Sequence, residues 1–213
     1  MRTRVAVGLA ALALSWLACR QPPIVQGHTH AKASGLYTQV AVAPFYPSPT
    51  LERSSIVGGV SASQAAELVS RFVAEAFEKR GVPVVPANDL VIAFEAAGQV
   101  IPRGDAAAIA QLAAREFGAT CVVLGEVSRY REREGENFGA LRPASVGFLV
   151  TIYRAPDGLR VWSGRFDETQ PSMTANLQRV RHYPGGGTRW LTAAELAGWG
   201  ATRIVDAVPA VVR

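Results

Sequence analysis

The amino terminus carries an apolar stretch that is too short to cross a membrane. Apolar residues run almost without interruption from Val5 to Ala18, directly after Arg2 and Arg4. A helix needs about 20 apolar residues to span the hydrocarbon core, whereas this stretch has 14. A positive start followed by a short apolar run is typical of an export signal. We therefore predict that residues 1–18 form a signal peptide.

Strand and helix periods follow one another between residues 37 and 127. Residues 37–45 and 120–127 are short apolar runs typical of buried strands, and we expect the second to lie in the middle of a sheet. Between them, residues 61–81 repeat apolar positions about every 3.6 residues, which predicts an amphipathic helix. Ser61 and Gln64 form a capping box at its start.

Shorter elements complete this pattern. Val82–Pro86 contains two prolines and is expected to be an edge strand. Asn88 and Asp105 are expected to cap two short helices, which end near Ala97 and Gly118. Strands alternating with helices in this way are typical of an α/β fold.

The last part of the chain predicts a hairpin. Residues 148–153 and 159–167 alternate apolar and polar positions, and the turn sequence Pro156–Gly158 separates them. Such a short connection makes the two strands antiparallel. Residues 46–60 and 135–144 are rich in polar, proline or glycine residues and are expected to be loops.

We predict an α/β fold with α+β character. It has a single mixed sheet of about five strands, helices packed on the sheet, and a C-terminal antiparallel hairpin. One periplasmic domain is expected over residues 37–213, ending in a helical tail that a Thr192–Glu195 capping box opens and that breaks or bends at Gly198 and Gly200. One core is expected to contain Phe72, Val73, Phe77, Val123, Val150, Ile152 and Trp162.

Residues 19–36 are predicted to be a flexible tether. They contain two prolines and two glycines and show no sustained apolar period. Their root-mean-square reach would be about 20–25 Å. His28 and His30 lie here, and two histidines without a third ligand nearby are expected to be solvated rather than to bind a metal.

Cys19 is the candidate lipidation site. It follows the small residue Ala18 and resembles the cysteine of a bacterial lipobox, although Trp16 stands where that motif has a leucine. The alternative is an ordinary secretory signal, cut after a small-residue site. Several acyl chains on Cys19 would hold the protein on a membrane. In the lipoprotein pattern an aspartate after the cysteine retains the protein at the inner membrane, so Arg20 favours the outer membrane.

Composition narrows the function classes. The chain has 22 basic and 17 acidic residues, and loss of Arg2 and Arg4 with the signal leaves an excess of three positive charges. This excess is too small for a nucleic-acid-binding surface. Cys121 is the second of two cysteines, and its place in an apolar strand predicts a buried, inert thiol.

No catalytic motif is found. The histidines lie in the tether or in a late loop, without the nucleophile and orienting group that a hydrolase requires. Asp167 and Glu168 could suggest a two-carboxylate site, but adjacent strand residues point to opposite faces of a sheet, so these two would not converge. We expect no enzyme activity, no cofactor and no metal site, and a periplasmic hydrolase is the unfavoured alternative.

Arginine and aromatic side chains suggest a contact surface. Such residues are enriched at protein interfaces, and alternation along a strand would align Arg129, Arg131 and Arg133. These guanidinium groups would suit carboxylates of an envelope protein or of peptidoglycan; the alternative is that they pair with neighbouring glutamates. The candidate partner-binding residues are Arg129, Tyr130, Arg131, Arg181 and Tyr183, backed by Arg179 and His182.

Two phrases of the sequence resemble a known group of domains. The opening Val40-Ala41-Val42-Ala43-Pro44-Phe45 and the later Phe117-Gly118-Ala119, followed by Val122-Val123-Leu124-Gly125 and Val127, are similar to the α/β domain of several envelope lipoproteins. This group includes the curli-secretion channel lipoprotein, the lipoprotein activators of penicillin-binding proteins and the amino-terminal domain of TolB. The resemblance covers residues 37–167, and it implies a non-enzymatic, partner-binding domain at the outer membrane.

Two non-enzymatic roles remain open. One is an adaptor or activator that binds another envelope protein, and the other is a subunit of a ring-shaped secretion channel. A channel subunit needs membrane-crossing strands of about 9–11 residues each. Residues 46–60 and 135–144 are too short and too polar for such strands, which favours the adaptor. The oligomeric state is not predicted.

Overall fold

The computed structural model describes residues 23–32, 37–53, 60–136, 139–155, 157–171, 183–187 and 189–209. The strands are β1 (Val25–Thr29), β2 (Val40–Val42), β3 (Tyr46–Pro47), β4 (Val84–Val85), β5 (Cys121–Arg131), β6 (Glu134–Glu136), β7 (Gly139–Arg142), β8 (Ser145–Arg154) and β9 (Arg160–Thr169). The helices are α1 (Pro49–Arg53), α2 (Ala62–Glu78), α3 (Ala87–Ala96), α4 (Ala106–Phe117) and α5 (Ala193–Asp206), with a 3₁₀ turn at Pro184–Gly187.

A seven-stranded mixed sheet organises these elements, in the order β1-β9-β8-β5-β2-β4, with β3 also paired to β5. β2 is parallel to β4 and β5, whereas β8 pairs antiparallel with β5 and β9. The α/β class, the interior position of β5, the edge position of β4 and the β8–β9 hairpin are confirmed. The strands β6 and β7 form a separate two-stranded sheet where a loop was expected.

The sheet has two strands more than predicted, because β1, in the predicted tether, and β3, in the predicted loop 46–60, both join it. β1, in the predicted tether, pairs antiparallel with β9 from Val25, opposite Phe166, to Thr29, opposite Trp162. The prediction of a flexible tether is therefore wrong for residues 25–29. Backbone hydrogen bonds hold β1 while its side chains stay mostly exposed, so the strand leaves no apolar period in the sequence.

Helices cover the two faces of the sheet unequally. Helices α2 and α5 pack on one face and enclose the larger core, which we call the inner core. Helices α3 and α4 pack on the other, outer face over β2 and β5 and enclose a smaller core. The predicted core is confirmed: Val73, Phe77, Val123, Val150, Ile152 and Trp162 are buried in the inner core, and Phe72 packs against it partly exposed.

The predicted helix starts are largely confirmed. Both capping boxes form, at Ser61 with Gln64 and at Thr192 with Glu195. Asp105 accepts a hydrogen bond from the backbone of α4, which ends at Gly118 with a left-handed φ of 67°. The predicted cap at Asn88 is wrong, because helix α3 begins two residues earlier, at Ala87, with Pro86 as its N-cap and no side-chain capping hydrogen bond.

The predicted break in the last helix is wrong, because α5 continues through Gly198 and Gly200. A Cβ at Gly200 would lie 2.6 Å from the ring of Phe166. The glycine therefore lets the helix approach the sheet rather than interrupting the helix. Within the described residues, no helix combines the length and apolar character needed to cross a membrane.

Candidate functional site

The outer face of the sheet is only partly covered in the part of the chain that the structure describes. Helices α3 and α4 pack over β2, the start of β5 and part of β8, whereas most outward side chains of the remaining strands are at least partly exposed. Strand alternation and the observed pairing place a set of side chains on this surface, which we call the open sheet face, all at least partly exposed except the buried Thr151: Gln26, His28, Leu124, Glu126, Leu149, Thr151, Tyr153, Ser163, Arg165 and Asp167.

Leu149 lies at the centre of the open sheet face. It belongs to β8, which is paired on both sides, and it is 43% exposed. Its cross-strand neighbours are Glu126 on β5 and Arg165 on β9, so an apolar side chain is flanked by opposite charges. Antiparallel strands often leave one face to solvent, so Leu149 is informative because the half-buried Leu124 and Tyr153 on the same face extend it into an apolar patch.

A groove of about 400 Å³ runs along one side of this face. Leu149 and Tyr153 form part of its floor, and Tyr46 with Arg103 lines the opposite side. The guanidinium carbon of Arg103 lies 4.8 Å from the centre of the Tyr46 ring, and its Nη1 lies 3.5 Å from a carboxylate oxygen of Glu52. The groove thus combines apolar and charged walls.

A second crevice, of about 360 Å³, lies beside the groove and shares Tyr46 and Arg103 with it. Its lining includes Glu67 on α2 and Asn88 on α3. It occupies the carboxyl ends of β2 and β4, whose connections lead to helices on opposite faces of the sheet. Such a switch point is where open α/β sheets commonly bind ligands.

An ion cluster occupies the end of the open sheet face. Asp167 accepts hydrogen bonds from Arg129 and, at 2.6 Å, from Arg165. Partial burial opposes ionisation of Asp167, but the two guanidinium groups outweigh it and lower the pKa of the carboxyl group. Two arginines on one aspartate leave one positive charge in excess.

The predicted row of three aligned arginines does not form. The register shift between Val127 and Arg129 precedes the arginines and leaves Arg129 and Arg131 on one face, with buried Tyr130 between them, but β5 ends at Arg131, so Arg133 lies beyond the strand. Arg129 pairs with Asp167, and Arg133 donates to the Trp190 carbonyl oxygen at 2.6 Å. Arg131 is exposed, and no described carboxylate pairs with it. The local residue pattern continues past Arg131 and does not mark the end of β5 or the contact between Arg133 and the distant Trp190, so the sequence did not reveal this change.

The two tyrosines among the candidate contact residues belong to the core. Tyr130 is buried in the inner core, where burial raises its pKa to about 12. Tyr183 is also buried, stacks on Trp199 with ring centres 4.6 Å apart, and donates to Glu168 at 2.9 Å. Their prediction as surface contact residues is therefore wrong.

Several other candidates lie outside the described residues: Cys19, Arg179, Arg181 and His182.

Glu132 holds the start of α5, a role that sequence analysis did not detect. Its carboxylate accepts hydrogen bonds from the Ala193 backbone at 3.1 and 3.2 Å. A negative charge there complements the positive end of the helix dipole. The residues are 61 positions apart, so no local pattern connects them.

The titratable groups of the described residues do not converge on a reacting centre. Asp167 is on the open face whereas Glu168 is buried on the other, as strand alternation predicts. His30 Nε2 lies 2.9 Å from the Ser163 hydroxyl, without a third member. Burial raises the pKa of the Cys121 thiol to about 12. No group of three metal-ligating side chains occurs within the described part.

No protein-family model and no curated protein matches the chain. Among solved structures, it is similar to the PelC dodecamer from Paraburkholderia phytofirmans, with 16% identity and a TM-score of 0.48 over 85% of this chain and 93% of that one. It is also similar to lipoprotein GNA1162 from Neisseria meningitidis, with 18% identity and a TM-score of 0.44 over 65% and 85% of the two chains.

The LpoB C-terminal domain from Escherichia coli is similar as well, with 15% identity and a TM-score of 0.38 over 75% of this chain and 94% of that one. These are similarities of general fold. One of these similar structures is itself described as a lipoprotein.

Proposed function

We propose that the protein is a lipoprotein of the cell envelope that acts by binding a partner rather than by catalysing a reaction. In this proposal, acylated Cys19 anchors it in the outer membrane, facing the periplasm. The observation that carries the proposal is the open sheet face, with Leu149 exposed on an interior strand. The partner is another envelope protein.

The chemistry of the open sheet face supports a protein partner. Leu149 and the half-buried Leu124 and Tyr153 supply an apolar centre, and Glu126 with Arg165 supplies charges at its sides. Protein interfaces commonly have such an apolar centre and a polar rim. A peptidoglycan strand is more polar and would be expected to use the charged groups without the leucine.

Photo-cross-linking in intact cells tests this surface. We expect Leu149→Glu to abolish one specific cross-linked band, because a carboxylate at the apolar centre of an interface must lose its water on binding, which costs several kcal/mol. Leu141→Glu is the matched control, since Leu141 is 86% exposed on the separate β6–β7 sheet. If both variants keep the parent's band pattern, the open sheet face is not the contact surface.

The ion cluster distinguishes peptidoglycan from a protein partner. Binding to isolated peptidoglycan that disappears in Arg165→Gln and persists in Leu149→Glu would replace the protein partner with a cell-wall partner.

Acylation of Cys19 requires its own test. We expect Cys19→Ser to move the protein from the membrane fraction to the soluble fraction, because loss of several acyl chains removes most of the membrane affinity. Globomycin should cause the precursor to accumulate in the parent. A parent protein that already fractionates as soluble would contradict the anchor.

The secretion-channel alternative is less well supported. The strands β6 and β7 span three and four residues, whereas a membrane-crossing strand needs about 9–11. The size of the detergent-extracted protein separates the two roles, since a closed ring of many copies would favour the channel.

A further inference from the structure

The position of β1 limits how far the domain can stand from its anchor. Pairing with β9 fixes Val25 at the edge of the sheet, so only residues 20–24 separate Cys19 from the first paired residue. Five residues extend at most about 18 Å, whereas a seventeen-residue tether could extend to about 60 Å. We call the edge of the sheet formed by β1 the attached edge. It therefore stays close to any membrane that holds the acyl chains of Cys19.

We propose that the β1 edge of the sheet lies against the membrane surface and contacts anionic lipid headgroups. This inference rests on the proposed acylation of Cys19, and it adds an orientation and a second binding surface to that proposal. The two supports are the short connection and the charge of this part of the molecule.

The charge around β1 is one-sided in the sequence. The first acidic residue of the whole chain is Glu52. Between Cys19 and that position the charged residues are Arg20 and Lys32, and Lys32 is exposed directly after β1. Anionic headgroups attract such cationic segments within about a Debye length of the surface.

The corner of the sheet next to Val25 carries three arginines. Val25 lies opposite Phe166, next to Asp167 and its two arginine partners. Arg131 is exposed. It lies at the same end of the sheet, since its partner on β8, Ser145, pairs with Thr169 at the end of β9. The carboxylates of Asp167, Glu168 and Glu132 lie at this end as well, so the positive excess of the edge comes from Arg20 and Lys32.

This orientation protects the β1 edge of the sheet and leaves the open sheet face accessible. β1 is an edge strand of the sheet that the described residues form, and an open edge invites pairing with other chains. A membrane against that edge would block such pairing sterically. The open sheet face would then be roughly perpendicular to the membrane surface. A partner beside the domain can reach Leu149 on that face.

Fluorescence quenching in vesicles tests the orientation. The acylated full-length protein is reconstituted into vesicles of phosphatidylethanolamine and phosphatidylglycerol that contain a headgroup nitroxide lipid. A probe is attached either at Gln26→Cys on β1 or at Glu95→Cys on α3, both at exposed positions. Cys121 is buried and Cys19 is acylated, so the introduced thiol takes the label.

We expect the Gln26 probe to be quenched several-fold more strongly than the Glu95 probe. Helix α3 packs beside the far edge of the sheet, and five strand spacings separate β1 from β4, which is about 24 Å. Equal quenching of the two probes, in protein that sediments with the vesicles, would overturn the orientation and leave the anchor intact. Protein that does not sediment with the vesicles would refute the anchor itself.

Lengthening the segment between Cys19 and β1 tests whether its shortness causes the orientation. Twelve glycine and serine residues inserted after Arg20 should weaken quenching at Gln26 without releasing the protein from the vesicles. Unchanged quenching in that variant would overturn the short connection as the cause. Equal melting temperatures of the labelled variants and the parent verify that each is folded.

Discussion

At the scale of single residues, several glycines mark places where an aromatic ring lies against the backbone. The ring of Phe45 occupies the space above Gly125, the ring of Trp162 covers Gly164, and the ring of Phe166 lies against Gly200. A side chain at any of these positions would collide with the ring. These glycines are therefore required by packing, although in the sequence they look like breaks in strands and helices.

The pair Gly198 and Gly200 in α5 provides a matched prediction. Alanine favours a helix over glycine by about 1 kcal/mol, so Gly198→Ala should raise the free energy of unfolding, since its nearest neighbour is Phe72 at 3.9 Å. Gly200→Ala should lower it by about 1–3 kcal/mol, because the new methyl group would meet Phe166 at 2.6 Å. Urea unfolding of both variants measures the difference. Two variants that are equally stabilised would show that Phe166 does not restrict α5.

Glu195 should make stability depend on acid pH. The hydrogen bonds from Arg189 are the largest cause that lowers the pKa of Glu195 to about 2. Because the pKa is lowered in the folded state, the stabilisation is complete above the ordinary value of 4.5 and is lost as the pH falls toward about 2. We expect the free energy of unfolding of Glu195→Gln to change less over this interval than that of the parent.

Arg189→Gln is the companion variant for this test. It removes the main cause of the shift and keeps the carboxyl group, so its stability should also fall less steeply with acid. A pH dependence identical to the parent's in both variants would contradict the role of this ion pair.

At the scale of elements, the long helix α2 is defined by the face that it buries. Phe77 is fully buried in the inner core, whereas Glu78, the next residue, is exposed. Phe77→Ala should cost about 3–5 kcal/mol, which is comparable with the stability of a small domain. Thermal unfolding measures this loss, and Glu78→Ala, which should change the melting temperature little, is the control. An unchanged melting curve for Phe77→Ala would show that the face of α2 assigned to the core is the wrong one.

The elements also differ in how far local sequence could predict them. Helix α2 combines a capping box with a sustained apolar period, so its start and its buried face follow from its own residues. Strand β1 depends on the edge that β9 offers, and the start of α5 depends on Glu132 as well as on its own capping box. Elements that rely on distant partners leave weak local patterns.

At the scale of the whole molecule, the sheet divides into a covered half and a partly open half. Over β2 and the start of β5, helices lie on both faces, whereas β9 and most of β8 have described helices on the inner face, and α4 reaches only part of β8 from the outer face. This division explains why nearly continuous apolar runs occur in β2 and β5, and why polar residues alternate with apolar ones in β8 and β9. It also places the open sheet face next to the attached edge.

The sequence by itself determined the α/β class, the long helix, the hairpin and the buried residues of the inner core, because each depends on local periodicity or on caps. The export signal stays a prediction from the sequence. Only the tertiary structure decided the surface. It buried Tyr130 and Tyr183, paired Arg129 with Asp167, and joined β1 to the sheet. These outcomes depend on which distant strands become neighbours and on one bulge in β5, and periodicity along the chain does not encode either of them.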